Sequence, residues 1–298
     1  MESNDLTIKR LGIKSKLKKE QRSLFTKRFI SNKLIMIGTV IIVFLVLLAI
    51  FGPLLSPYDP YQLDTSKRLT GPSSDHLLGT DNYGRDLATR ILYGARVSMF
   101  IGFSVAAITT IIGTAIGLLA SYFRSLDNIF MRIMDGLMAF PSILLAIALM
   151  AALGPKTSNV IVALSVVFTP YIARVVRSAA LVVKEETYVE AMVAQGASKT
   201  RIILRHITPN ILSPMIVQST FIFADAIINE ASLSFLGAGV PAPDPSWGSI
   251  LYDGKIVISQ AWWMVSFSGI IIILSVLGLN LVGDGLRDLL DPHIKSNK

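Results

Sequence analysis

Residues 97–120, VSMFIGFSVAAITTIIGTAIGLLA, form a run of 24 with no charged side chain. A bilayer core about 30 Å thick is crossed by roughly 20 apolar residues in a helix, so this run predicts a membrane span. Working outward, the same reading finds 34–51, which closes on Gly52-Pro53, then 136–153 and the shorter 160–173, which contains Pro170. It also finds 211–236, which carries Asp225 and Glu230, and finally 262–283. Six spans predict an all-α integral membrane fold. Composition agrees: 52% of the 298 residues are apolar, 16% are charged and the mean hydropathy is +0.59, whereas soluble domains carry about 25% charged residues.

Lysine and arginine orient the set. With an inside N-terminus, inner segments hold 21 of them: ten in residues 1–33, then Arg124 and Arg132, six in 174–205, and Arg287, Lys295 and Lys298. Outer segments hold six (Lys67, Arg68, Arg85, Arg90, Lys156 and Lys255), and Arg96 sits at a boundary. The positive-inside rule therefore predicts cytoplasmic N- and C-termini in the cell membrane. Trp262 and Trp263 open the last span where amphipathic rings settle at an outer interface. The first span is long and lacks a small-residue cleavage site, so it reads as retained.

The expected organisation is a basic tail at 1–33, a first membrane helix at 34–55, an outer loop at 56–94 and a five-helix core at 95–284. A C-terminal tail follows at 285–298. Leu24, Phe25 and Phe29, interleaved with Lys27 and Arg28, suggest a short interfacial helix in the first tail.

Much chemistry is excluded. The chain has no cysteine, and His76, His206 and His293 lie too far apart in sequence for a local metal site. No phosphate-binding loop, nucleophile elbow or His-Glu-x-x-His helix occurs. The one Ser-x-x-Lys match, Ser15 to Lys18, lies in the basic tail. A net charge of +8 is accounted for by topology and does not predict nucleic-acid binding.

The core's inner loop, 174–210, holds the most informative segment, EETYVEAMVAQGASKTRIILRHITPN at 185–210. Helix formers with acidic residues at the start predict a helix from Glu185 to Gln195. Gly196 follows where a helix ends in the left-handed conformation. Ser198 can cap a second helix running to Thr208, with Pro209 as its exit. Val189, Met192 and Val193 give the first helix an apolar face. Either its own bundle buries that face, or a groove on a cytoplasmic partner does.

Within the fifth span, Gln218, Asp225, Asn229 and Ser232 fall on one helical stripe, while Glu230 points elsewhere. Polar groups there face a bundle interior or a water-filled path. The stripe either lines a pathway or knits helices together. Glu230 is expected to serve a neighbouring helix or the outer mouth. Asp135, at the start of the third span, would act as an N-terminal charge on its helix.

Glu190-Ala191, Gly196 six residues after the glutamate and Pro209 nineteen after it resemble the EAA loop of ABC importer permeases. Met192, His206 and Thr208 depart from the usual pattern of that loop. Further marks resemble the dipeptide/oligopeptide/nickel branch, and its C-type permease most closely. They are LGTDNYGRD at 78–86, YGAR at 93–96, EASLSFLG at 230–237, PSWG at 245–248 and NLVGDGLRDLLDP at 280–292. The resemblance implies a type I ABC importer permease fold and import of peptides, with nickel or its chelates as the alternative cargo. It also implies a second permease subunit, one or two cytoplasmic ATPase chains that carry ATP and Mg²⁺, and an extracytoplasmic substrate-binding protein. Glu190, Ala191, Met192, Gly196 and Pro209 would then form the ATPase-coupling loop, and the chain would bind no cofactor of its own. Two rival readings remain at this point: a proton-coupled secondary transporter using Asp225 and Glu230, and a membrane anchor or assembly protein.

Overall fold

A computed structural model describes Glu20, Ser23, Lys27 and residues 29–290. The interfacial helix expected around Leu24 and Phe25, and the tail beyond residue 290, lie outside the described residues. Among the described residues five helices are long and apolar enough to cross a membrane, and a bent helix pair makes a sixth candidate crossing.

Helix α1, Lys33–Leu55, is capped by Asn32, whose side-chain oxygen accepts from the Leu34 and Ile35 amides at 2.9 and 3.3 Å. Pro53 lies inside it and has no N–H for the Ala49 carbonyl four residues back. Arg96 supplies the missing donor: its Nε reaches Ala49 O and its Nη2 reaches Ile50 O, both at 3.2 Å.

Helix α2, Leu87–Tyr122, starts inside the segment read as outer loop, so residues 87–94 form its first turns. The cause is Asp86, whose Oδ2 accepts from both the amide and the hydroxyl of Thr89 at 2.7 Å. Apolar counting misses this start because the first turns carry Arg90.

The third crossing differs most from expectation. Residues 136–153 are not one helix. Helix α3, Arg124–Met138, and helix α4, Ser142–Leu153, meet at 94° around Phe140-Pro141. Proline disfavours helical backbone in the residue before it, which ends α3. Twelve residues of α4 span about 18 Å, short of a full crossing. Asp135 accordingly sits in the last turn of α3 and pairs with Arg174, so it is no N-terminal charge on the third span.

Helix α5, Thr157–Lys184, is twice as long as the 160–173 run, because Arg174 and Arg177 extend it and find carboxylate partners on α3. It packs closely along α2. A Cβ added to Gly113 or Gly117 would lie 2.7 or 2.8 Å from the Cβ of Ile172 or Val176, so these glycines set the helix spacing. Ile101, Val105, Leu164, Val167 and Ile172 form the buried seam.

Helix α6, Thr187–Ala194, and helix α7, Lys199–Ile202, form a hairpin at one end of the bundle. A wide π turn, Ile203–Ile207, joins α7 to α8, Thr208–Phe235. Short helix α9, Trp247–Ile256, lies at the opposite end, before α10, Trp262–Leu290. Trp263 is not an interface anchor: it is buried, and its Nε1 donates to Thr80 O at 3.0 Å. Trp262 stays exposed.

Candidate functional site

The hairpin at the Gly196 end is built by two caps. Gly196 has φ +77°, its amide donates to Val193 O at 2.9 Å, and the Ala197 amide donates to Met192 O at 3.0 Å. That is the Schellman pattern, which satisfies the last carbonyls of α6 and needs a left-handed residue at Gly196. The Ser198 hydroxyl then accepts from the Arg201 amide at 3.4 Å and starts α7.

For this loop the two alternatives for the apolar face each hold in part, and one expectation is corrected. Val189 does not join an open apolar face: it is 2% exposed and packs with Ile202, Ile207 and Ile211 in the chain's own core. Val193 is 57% exposed, and Glu190 and Ala191 also face outward, so only one side of α6 lacks a cover. Nor is Pro209 an exit from a helix. It lies in the first turn of α8 inside a continuous helical path from Lys199 to Phe235. The preceding π turn absorbs the missing N–H, and the Asn210 side chain donates to His206 O at 2.6 Å. The second arm of the hairpin is therefore one rod with the fifth span. A groove of about 490 Å³ opens beside the hairpin, lined by Tyr122, Leu181, Lys184, Val189, Glu190 and Val193.

Along α8, Asp225 is exposed, and Gln218, Asn229 and Ser232 are half-buried. The Asn229 amide donates to the Asp225 backbone carbonyl at 2.9 Å, and the Ser232 hydroxyl to Ile228 O at 2.8 Å. Gln218 borders a cavity of about 440 Å³ shared with Val175, Pro214 and Arg287. Ser232 borders an apolar groove of about 340 Å³ with Phe235, Leu251 and Ile272.

Glu230 stands apart from that stripe and is fully buried. Its carboxylate accepts from the hydroxyls of Ser98 on α2 at 3.0 Å and Ser234 at 2.8 Å. Those hydroxyls in turn accept from the amides of Trp247 at 3.2 Å and Val240 at 3.1 Å. Glu230 thus ties α2, α8 and the start of α9 together.

Sequence reasoning missed a second polar node at this end. Arg85 Nε donates to Asp81 Oδ2 at 2.6 Å, Arg85 Nη2 reaches Asp253 on α9 at 3.3 Å, and Arg90 Nε lies 3.4 Å from Asp81. Burial pushes the Asp253 carboxyl up, while Arg90 and Arg85 pull it down. The Asp81–Arg85 spacing was visible in sequence, but Asp253 lies 168 residues from Arg85 and gave no local signal. Among the described residues no three His, Asp or Glu side chains converge as metal ligands.

Two family models match the chain. Residues 91–296 match the binding-protein-dependent transport system inner membrane component, and residues 21–72 match the N-terminal TM domain of oligopeptide transport permease C. A putative peptide transport system permease protein of Brucella abortus is 49% identical over 272 residues, covering 91% of this chain and 92% of the relative. The dipeptide transport system permease protein DppC of Alkalihalophilus pseudofirmus is 48% identical over 271 residues, covering 91% and 89%. The MetNI methionine ABC transporter, solved in inward-facing conformations, contains a chain that is 20% identical. That match has a TM-score of 0.56 and covers 66% of this chain and 95% of the other, a likeness of fold. The protein belongs to the inner-membrane permease family of binding-protein-dependent transport systems and is a multi-pass protein of the cell membrane.

Proposed function

We propose that this permease forms half of the translocation pathway of an ATP-driven peptide importer, with its termini and the Gly196 hairpin in the cytoplasm. Peptide cargo is supported by the names of relatives 49% and 48% identical over nine-tenths of the chain. A second homologous permease would cover the uncovered side of α8, where Asp225, Asn229 and Ser232 would face the shared path. A substrate-binding protein would deliver cargo at the Trp247 end. ATP and Mg²⁺ would be handled by one or two separate ATPase chains docked on Glu190, Ala191, Met192, Gly196 and the helix that continues through Pro209.

The single observation that carries the coupling role is the join between hairpin and span. The second arm runs unbroken from Lys199 to Phe235, so force applied beside Gly196 enters the fifth span directly. For ATP to bias the bundle, the hairpin must make different contacts in the two ATPase states. No substrate chemistry is needed. Purification of the native complex, with mass spectrometry of its subunits and of ligand on the binding protein, tests this reading. A second permease, an ATPase and a bound peptide are expected; a chain that purifies without any ATPase would refute it.

A further inference from the structure

The end of α2 meets the residue that leads into the hairpin and the first residue of its second arm. Tyr122 is the last residue of α2, and Phe123 is the single extended residue joining it to α3. Their rings meet edge to face with centroids 5.3 Å apart. Lys184, the last residue of α5 before the hairpin, sits with Nζ 5.3 Å from the Tyr122 ring centroid and also donates to Ser121 O at 3.2 Å. Lys199, the first residue of α7 after the Gly196 bend, sits with Nζ 5.4 Å from the Phe123 ring. Both distances are within cation–π range. An aromatic pair is thus held by two lysines that bracket the first arm of the hairpin and the Gly196 bend.

The other end of α2 holds α9. The Trp247 amide donates to Ser98 Oγ, and the Trp247 indole donates to Ile91 O, both at 3.2 Å. A helix of 36 residues, about 54 Å long, therefore links the hairpin to the short helix at the far end of the bundle. Because Phe123 also begins α3, a shift of the pair would move the bent α3–α4 crossing as well.

We infer that Tyr122 and Phe123, gripped by Lys184 and Lys199, receive hairpin motion and pass it through α2 to α9, on a route that starts apart from α8 and meets it at the Ser98–Glu230 bond. They are positioning residues, and the inference rests on the coupling role proposed above. Its test is a reconstituted complex carrying Tyr122→Leu, Phe123→Leu, Lys184→Met or Lys199→Met, with Gly196→Val in parallel. In the Tyr122, Phe123, Lys184 and Lys199 variants ATPase docking and hydrolysis are expected to persist. Uptake per ATP hydrolysed should fall about two- to fivefold, the factor a cation–π contact at a partly exposed site represents. Tyr122→Phe and Lys184→Arg should restore it, since both keep the ring and the cation. Lys184→Met added to Tyr122→Leu should cost less than Lys184→Met alone, since only the bond to Ser121 O is left to lose. Lys199 is exposed, so its variant reads the effect even where a Tyr122 variant assembles poorly. Unchanged uptake per ATP in docked Tyr122→Leu and Lys199→Met complexes would overturn the inference, as would loss of docking alone. If Gly196→Val uncouples while these do not, only the α2 route fails; if Gly196→Val is also silent, the hairpin reading fails with it.

Discussion

Gly196 is a position where substitution isolates backbone strain from packing. Its φ is +77°, and a Cβ built there would meet nothing within 4 Å. Valine would therefore cost about 1–3 kcal/mol through conformation alone, with no clash to disturb the spans. Gly196→Val should leave the complex assembled and weaken ATPase docking or substrate-stimulated uptake. Gly196→Asn should be milder, because asparagine visits the left-handed region more readily. Separate assays of ATPase binding, hydrolysis and uptake check this, and wild-type values of all three for Gly196→Val would remove the hairpin from coupling. Glu230 is the opposite case, fully enclosed and bonded to Ser98 and Ser234. Glu230→Ala opens a cavity and strands buried hydroxyls, each worth about 1–3 kcal/mol when left without an acceptor. A lowered thermal midpoint in detergent is expected, with Glu230→Gln in between; an unshifted midpoint for Glu230→Ala would contradict the structural role.

Helix α3 is the element whose behaviour was hardest to foresee. It lies at 94° to α4 and is tied to α5 by Arg177–Asp127, with Nη2 to Oδ2 at 2.6 Å, and by Arg174–Asp135. Both pairs are partly exposed, so each is worth no more than about 1 kcal/mol. Arg177→Ala should loosen α3 without unfolding the bundle. Hydrogen exchange should rise over residues 124–138 and not over α2, and equal protection in the variant would show that packing alone holds α3. The long uncharged runs were readable because membrane helices must satisfy every backbone group internally, which imposes length and apolarity. The α3–α4 break was not, since summed hydropathy over 136–153 ignores a two-residue bend; Phe140-Pro141 was its only local mark. The Gly196 bend and Ser198 cap were readable because capping is local. Pro209 was misplaced because a proline can be absorbed by a π turn as well as end a helix. Of Glu230's partners, Ser234 is one helical turn away, but Ser98, 132 residues off, lay beyond any local reading.

At the scale of the molecule, two polar nodes and α9 close one end of the bundle, and an exposed hairpin continuous with the fifth span marks the other. The side of α8 bearing Asp225 is left without cover by this chain. Such a layout fits half of a shared path better than a transporter complete in one chain. Orientation is testable because the sequence has no cysteine to compete for label. Ser74 and Thr200 are exposed at opposite ends. A cysteine at Ser74 should react with an impermeant thiol reagent in intact cells, and one at Thr200 should not; the reverse pattern would invert the topology.

Peptide uptake into proteoliposomes bears on the whole proposal. Vesicles would hold this permease with its partner permease and binding protein, with or without the ATPase chains, and be energised by ATP or by a proton gradient. Uptake is expected only when the ATPase chains and ATP are both present. Gradient-driven uptake by this chain alone, or uptake indifferent to removal of the ATPase, would contradict an ATP-driven permease.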